Sequence, residues 1–407
     1  MKNFKSYRII LLVVLFSGLF LSSCNKDDAP EKIYKNYISD ELKTEITSRE
    51  AIANFTKLTP EAADLGLLIR YDVEVRRVIY QTTFKGKSIQ ASGLACFPKN
   101  QGTYPVLSFQ NGTNTLHSDA PSVSTDDELF SIMESIAAMG FIVVIPDYIG
   151  FGVSANLPHP YLDAQSSTQS ILDMIRAAKE LSTEDKIEAK ASQNLFIFGY
   201  SQGGWATMQL QKLIEKDYSS EFKLLGSSCG AGPYSIEDMN KYIVEKANYP
   251  MPYFIAYLLH SYTQIGSVAN PLSDFILEPY AAKIPGLFDG KHSGSAINAE
   301  LSTQMSMLFT PEYQTGYATS AKFAEARKAF QANSIVPWKA RTPMKLFHGM
   351  ADEYIPAEIS RKMLDGFIAA GVSESQIELN LIPQADHSTA VFPAGLETII
   401  WFLTLNK

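Results

Sequence analysis

The chain has 407 residues, of which 46% are hydrophobic and 19% charged, and a formal net charge of −8. That length and apolar share allow a sizeable core in one large or two medium domains, and exclude the disordered and collagen-like classes. The acidic balance leaves no electrostatic footprint for nucleic acid and argues against adhesion to anionic lipid through charge.

Residues 1–23 read as a targeting segment. Lys2, Lys5 and Arg8 form a basic start, and Ile9 to Phe20 is apolar apart from Ser17 and Gly18. The run is too short for a transmembrane helix and fits the apolar region of a signal peptide. It closes on Leu21-Ser22-Ser23-Cys24, which resembles the lipobox of bacterial lipoproteins. The resemblance implies cleavage before Cys24, lipid on its thiol, and a membrane partner reached through that lipid. A simple secretory signal that happens to end near a cysteine is the alternative. Asn25, standing where Asp does not, implies sorting to the outer membrane, and Lys26-Asp27-Asp28 is similar to export signals of surface-displayed lipoproteins. Residues 24–50 are polar and rich in Lys and Glu, and read as a tether and approach to the domain.

The first part of the core is expected over 51–231. Tyr71 to Phe84 and Ser88 to Phe97 are rich in Val, Ile, Thr and Tyr around Lys85-Gly86-Lys87, the pattern of a hairpin. Short, nearly continuous apolar runs follow at Pro105–Phe109, Phe141–Ile145, Asn194–Phe198, Lys223–Gly226, Met344–Phe347 and Ile377–Leu381. Strands buried on both faces read this way, as in a parallel sheet covered by helices. Between them, Ser167–Leu181 carries Ile171, Met174, Ile175 and Ala178 at helical spacing. The class is therefore α/β, a mostly parallel central sheet flanked by helices. Cys96 and Cys229 lie in apolar, strand-like contexts compatible with either a disulfide or two buried thiols.

The alternation stops near Gly232 and resumes near Pro337. Residues 232–336 are rich in Tyr, Phe, Met, Leu and Pro and are too many for a structureless loop, so a helical insertion is expected. Its position makes it a cap or lid whose apolar residues either line a pocket or form only its own core. Residues 337–407 complete the core. No period of 20–50 residues repeats, so a solenoid or propeller is excluded.

Gly199-Tyr200-Ser201-Gln202-Gly203 follows one apolar run directly and precedes a helix with Ala206, Leu210, Leu213 and Ile214 on one face. Strand, tight turn and helix around Gly-x-Ser-x-Gly is what a nucleophile elbow requires. A serine hydroxyl needs an adjacent base, and in that arrangement the acid and then the histidine follow in chain order. Of six histidines, His387 sits in the loop after the last expected strand. Asp352 stands just past the strand Met344–Phe347, where its carboxylate would orient the imidazole, with Glu353 and Asp386 as competitors. Two backbone N–H groups are expected to hold the oxyanion: that of Gln202, and that of Thr113 in the loop after Phe109. An ordinary Asn-Gly turn is the alternative for Thr113. His348 is expected to be structural. No Cys/His cluster has metal-ligand spacing, so no metal or organic cofactor is implied.

With these residues in hand the chain resembles the α/β-hydrolase superfamily, and more closely the secreted lipase family of fungi and bacteria. The segments that carry the likeness are Ser108-Phe109-Gln110-Asn111-Gly112-Thr113 with Ala120-Pro121-Ser122, Ile145-Pro146-Asp147-Tyr148-Ile149-Gly150-Phe151-Gly152, His159-Pro160-Tyr161-Leu162, and the elbow with Gly204. The Gly349–Pro356 and Asp386-His387 segments complete it. Asn111 departs from the pattern, because relatives commonly carry histidine there. The resemblance implies a lipase or esterase acting through an acyl-enzyme, with a cap between the sixth and seventh core strands and a small-molecule or lipid ester as substrate. Amide cleavage or acyl transfer on the same triad, and a catalytically inactive surface binding protein, remain alternatives at this point, as do acyl chain length and oligomeric state.

Overall fold

The computed structural model describes residues 32–57 and 61–406. The targeting segment, with Cys24 and the charged residues after it, lies outside the described residues. From Tyr34 onward the chain is one unit.

The antiparallel part of the sheet comes first. Strand β1 (Tyr37–Ile46) pairs with β2 (Val73–Phe84), and β2 pairs along its whole length with β3 (Lys87–Pro98). Lys85 and Gly86 both adopt positive φ, 52° and 73°, which is the two-residue turn that suits the twist of a hairpin. Strand β1 corrects the reading of residues 24–50 as tether: residues 37–46 belong to the sheet, and Thr47 opens helix α1 (Ser48–Thr56) with a capping box to Glu50. The strand was hidden because register shifts between Tyr37 and Ser39 and between Leu42 and Thr44 break its period of two. It lies at the sheet edge, where polar residues find partners: Arg76 reaches Asp40 at 2.6 Å.

The parallel part contains β4 (Gly102–Gln110), β5 (Ile142–Pro146), β6 (Ala189–Tyr200), β7 (Lys223–Gly230), β8 (Met344–Gly349) and β9 (Ile377–Ile382). The spatial order is β1-β2-β3-β5-β4-β6-β7-β8-β9, with β3 antiparallel to β5 and every later pairing parallel. Helices α2 (Glu128–Ile136), α3 (Ala164–Leu181) and α4 (Gln202–Asp217) make the crossovers. Alternate residues along the strands feed two cores, as the pleat requires. Val106, Ile142, Val144 and Ile197 join Ile171, Met174 and Ile175 of α3 and Trp205 of α4. Leu107, Val143, Phe196 and Phe198 join Phe55 of α1 and Ile132 and Ile136 of α2.

Between β7 and β8 the chain forms α5 (Ile236–Glu245), α6 (Tyr253–Gln264), α7 (Tyr280–Leu287), α8 (Gly294–Ala299), α9 (Met305–Leu308), α10 (Pro311–Gly316) and α11 (Ala324–Asn333). Helices α12 (Ala357–Ala369) and α13 (Val391–Leu405) then flank β9. Phe402 and Ile399 of α13 close the second core. Cys96 on β3 and Cys229 on β7 are buried free thiols.

Candidate active site

Ser201 stands at the junction of β6 and α4 with φ 59° and ψ −123°. An L-residue in that region is strained by roughly 1–3 kcal/mol, and persists only where the surroundings fix it. They do so by close backbone approach. A Cβ on Gly203 would stand 1.8 Å from the Gln110 carbonyl oxygen, and one on Gly199 would stand 2.3 Å from that of Gly203. The Ser201 N–H donates to the Gly230 carbonyl at 2.9 Å, fastening the turn to the end of β7. Serine at a helix N-cap normally turns its oxygen back onto the first-turn N–H groups. Here the hydroxyl makes no cap bond. It hydrogen-bonds to His387 Nε2 at 2.9 Å instead.

His387 lies in the loop between β9 and α13, and Asp352 in the loop after β8. The two loops are fastened together. Met350 N–H donates to Ile382 O at 3.0 Å, and Ala351 N–H to Ala385 O at 2.9 Å. His387 Nδ1–H then donates to Asp352 Oδ2 at 2.7 Å, which leaves Nε2 unprotonated and facing Ser201. The imidazole is packed between the rings of Tyr200 and Tyr354, at 5.4 and 5.3 Å between centroids. The competitors do not join this chain: Glu353 is exposed, and the Asp386 carboxylate accepts from Ser388 N–H at 3.0 Å and Thr389 N–H at 2.8 Å.

The Asp352 carboxylate is itself tightly held. Oδ1 accepts from the N–H groups of Tyr354 and Ile355, both at 2.9 Å. Burial alone would raise its pKa, but hydrogen bonds from His348, His387 and the Ile355 N–H outweigh it and hold the carboxyl well below the ordinary range. His348 is a member of this network that the sequence did not reveal. Its Nε2–H donates to Ile355 O at 2.8 Å and lies 3.3 Å from Asp352 Oδ2, while Nδ1 accepts from Ser360 Oγ at 2.7 Å. Nothing in its spacing distinguishes it from a core histidine; only the turn of the Asp352 loop back over the strand end brings it there.

Gln202 begins α4, so its backbone N–H is among the helix-start donors with no intrahelical partner. Its side-chain Nε2 donates to His159 Nε2 at 3.1 Å, and His159 Nδ1–H donates to Ile149 O at 2.7 Å. Burial lowers the His159 pKa to about 4, although its bond to Ile149 opposes this, so the ring is neutral at physiological pH. The loop after β4 approaches from the other side: a Cβ on Gly112 would lie 3.8 Å from Ser201 Cβ. Thr113 follows, its hydroxyl paired with the Tyr161 hydroxyl at 2.9 Å. Asn111 is buried, its side-chain Nδ2 donating to Gly112 O at 3.1 Å and its backbone carbonyl accepting from the Tyr148 hydroxyl at 3.1 Å.

A narrow cavity of about 40 Å³ opens beside Ser201, walled by Leu162, Ile236, Ile243, Phe254 and Leu258 among others. A larger apolar cavity of about 300 Å³ between Phe55, Ile132, Phe198 and Ile399 contains none of the three linked side chains. A hydroxyl bonded to an unprotonated imidazole nitrogen, whose other nitrogen is held by a buried carboxylate, is the arrangement that general-base activation of a serine requires.

Known proteins are similar to this chain over most of its length. Lipase 5 of Candida albicans is 23% identical over 98% of this chain and 84% of its own. A Legionella pneumophila protein of known structure is 24% identical, with 92% of this chain and 99% of that one superposed at a TM-score of 0.82. The rice cell wall degrading esterase LipA of Xanthomonas oryzae is also 24% identical, with 91% and 96% covered at a TM-score of 0.74. A model of the secretory lipase family matches residues 114–404, well over half of the chain. The protein therefore belongs to the secretory lipase family, and is a carboxylic ester hydrolase of the α/β-hydrolase fold.

Proposed function

We propose that the protein is a serine esterase in which Ser201 attacks the ester carbonyl carbon. His387 Nε2 takes the hydroxyl proton as the Oγ–C bond forms, and Asp352 orients the ring and stabilises the imidazolium. The tetrahedral oxyanion is held by the N–H groups of Gln202 and Thr113, the former strengthened by its place at the start of α4. Collapse breaks the bond to the alcohol oxygen, which receives the proton from His387. Water then attacks the acyl carbon as His387 takes its proton; the bond from that carbon to Ser201 Oγ breaks, His387 returns the proton to Oγ, and the acid leaves. The observation that carries this reading is the unbroken chain from Asp352 through His387 to Ser201, at 2.7 and 2.9 Å.

The cap reading of residues 232–336 is supported by α5 and α6, which supply Ile236, Ile243, Phe254 and Leu258 to the cavity beside Ser201. The acyl group is proposed to enter there. Hydrolysis of p-nitrophenyl esters from acetate to palmitate, by the mature chain and by Ser201→Ala, tests the mechanism. Hydrolysis by the wild type that falls by about three orders of magnitude or more in the variant is expected. A folded wild type that cleaves no ester, or a variant as active as the wild type, overturns it.

The same proposal places the enzyme at the cell envelope, lipid-anchored through Cys24 and facing outward from the outer membrane. The secretory description of the family supports export. Among the described residues no helix is long and apolar enough to cross a membrane. The mature chain in the membrane fraction is expected to begin at a lipid-bearing Cys24, read by mass spectrometry; a mature N-terminus without lipid refutes the anchor.

A further inference from the structure

The loop after β4 has no regular structure from Asn111 to Leu116, so separate contacts hold it. The Tyr148 hydroxyl donates to Asn111 O at 3.1 Å, Leu116 N–H to Asn114 Oδ1 at 2.9 Å, and His117 N–H to Gly290 O at 2.8 Å. Thr113 stands between these fastenings, next to Gly112, where a Cβ would lie 3.8 Å from Ser201 Cβ. The N–H and C=O of Thr113 have no hydrogen-bond partner among the described residues, and its hydroxyl has one, the Tyr161 hydroxyl at 2.9 Å. An oxyanion donor must be free yet unable to turn away, because its strength lies in needing no reorganisation. The Tyr161 contact is what holds Thr113.

Tyr161 is itself fixed from α6. It is buried, and its ring stacks on that of Tyr257 with centroids 4.6 Å apart and planes 10° from parallel. The turn that carries it is bonded to the same helix. Ser261 Oγ accepts from Tyr161 N–H and donates to His159 O, both at 2.8 Å, and the Tyr262 hydroxyl donates to Leu162 O at 2.9 Å. A tyrosine has two side-chain torsions, and a stacked, buried ring is free in neither, so the hydroxyl sits at a fixed point. Burial raises its pKa, which keeps the phenol protonated. A phenylalanine would make the same stack, so packing alone does not call for the oxygen. Among the described residues the one partner of that oxygen is Thr113.

We propose that Tyr161 is a positioning residue for the oxyanion hole: fixed by α6, its hydroxyl holds Thr113 so that the free N–H of that residue is in place when the oxyanion forms. Tyr161 thereby acts on the transition state through Thr113 and not by contact with the bound ester. The proposal rests on the reading of Ser201 as nucleophile and of the Thr113 N–H as oxyanion donor.

The test compares Tyr161→Phe, Thr113→Val and the double variant with the wild type on the p-nitrophenyl ester it cleaves fastest. Rates are expressed per serine titrated with a p-nitrophenyl phosphonate, so unfolded protein does not count. Each single substitution keeps the shape of its side chain and removes one hydroxyl. In each, kcat/KM is expected to fall about tenfold, part of what loss of a whole oxyanion donor costs. The double variant falls no further, because both changes break the same contact. A second readout uses two ketones of the same chain: a trifluoromethyl ketone, to which Ser201 Oγ adds to leave an oxyanion, and the methyl ketone, which binds without adding. Tyr161→Phe is expected to weaken the first by about tenfold and leave the second unchanged. Effects that multiply in the double variant overturn the proposal, as does equal weakening of both ketones, the result if Tyr161 only shapes the cavity. Ser201-dependent hydrolysis that Tyr161→Phe does not lower removes the role of Tyr161 alone, whereas a wild type without Ser201-dependent hydrolysis removes the nucleophile reading with it.

Discussion

Asp352 receives hydrogen bonds from two backbone N–H groups and from His387, and a fourth contact from His348. An amide in its place would present a donor where only donors arrive, and would turn the imidazole toward the wrong tautomer. Asp352→Asn is therefore expected to lower kcat by about three to four orders of magnitude while the fold is kept, measured by steady-state ester hydrolysis. The same contacts set a pH dependence. The folded pKa is depressed, so this carboxylate adds stability above the ordinary carboxylate range near pH 4 and surrenders it as the pH falls toward the folded value. The asparagine variant lacks that dependence. Urea titrations at pH 7 and pH 3 are expected to show a smaller gap between variant and wild type at the lower pH. The three linked residues were legible in the sequence because chemistry restricts their types and the elbow restricts their spacing. His348 and the His159–Gln202 contact were not, because each depends on which side chain a distant loop or helix turns toward.

At the level of elements, the site is a set of strand ends. The C-terminal ends of β4, β6, β8 and β9 each release a loop that carries one part of it, and the tight contacts among those loops leave little tolerance. Gly203→Ala would drive a Cβ to within 1.8 Å of the Gln110 backbone carbonyl oxygen, which cannot swing aside as a flexible side chain can. The substitution is expected to cost more than about 4 kcal/mol or prevent folding, where Ala at an ordinary first-turn position of a helix is favourable. Denaturation midpoints of the two proteins check it. The parallel strands were readable because burial on both faces makes them apolar runs with few competing interpretations. Strand β1 was not, since an edge strand with two bulges keeps neither the apolar content nor the alternation that marks a strand. Helix α12 was passed over for a different reason: only Ile359, Met363 and Phe367 of its apolar residues are fully buried, a thin stripe among exposed charges.

For the molecule as a whole, the α/β class and the place of the long insertion between β7 and β8 followed from where the strand–helix alternation stops and resumes. How its seven helices fold over one another did not, since short helices without strong amphipathic periods are ordered by tertiary packing. The site is also dispersed along the chain in a way that has a consequence for biosynthesis. Ser201 and His387 are separated by 186 positions, and Asp352 lies 35 before His387. A polypeptide crossing a membrane from its N-terminus exposes the strained elbow long before β8 and β9 are available to join the sheet. Until the last loop docks, Ser201 lacks its hydrogen bond to His387. On the proposed mechanism, a chain exported in this order would stay inert until nearly all of it had been delivered.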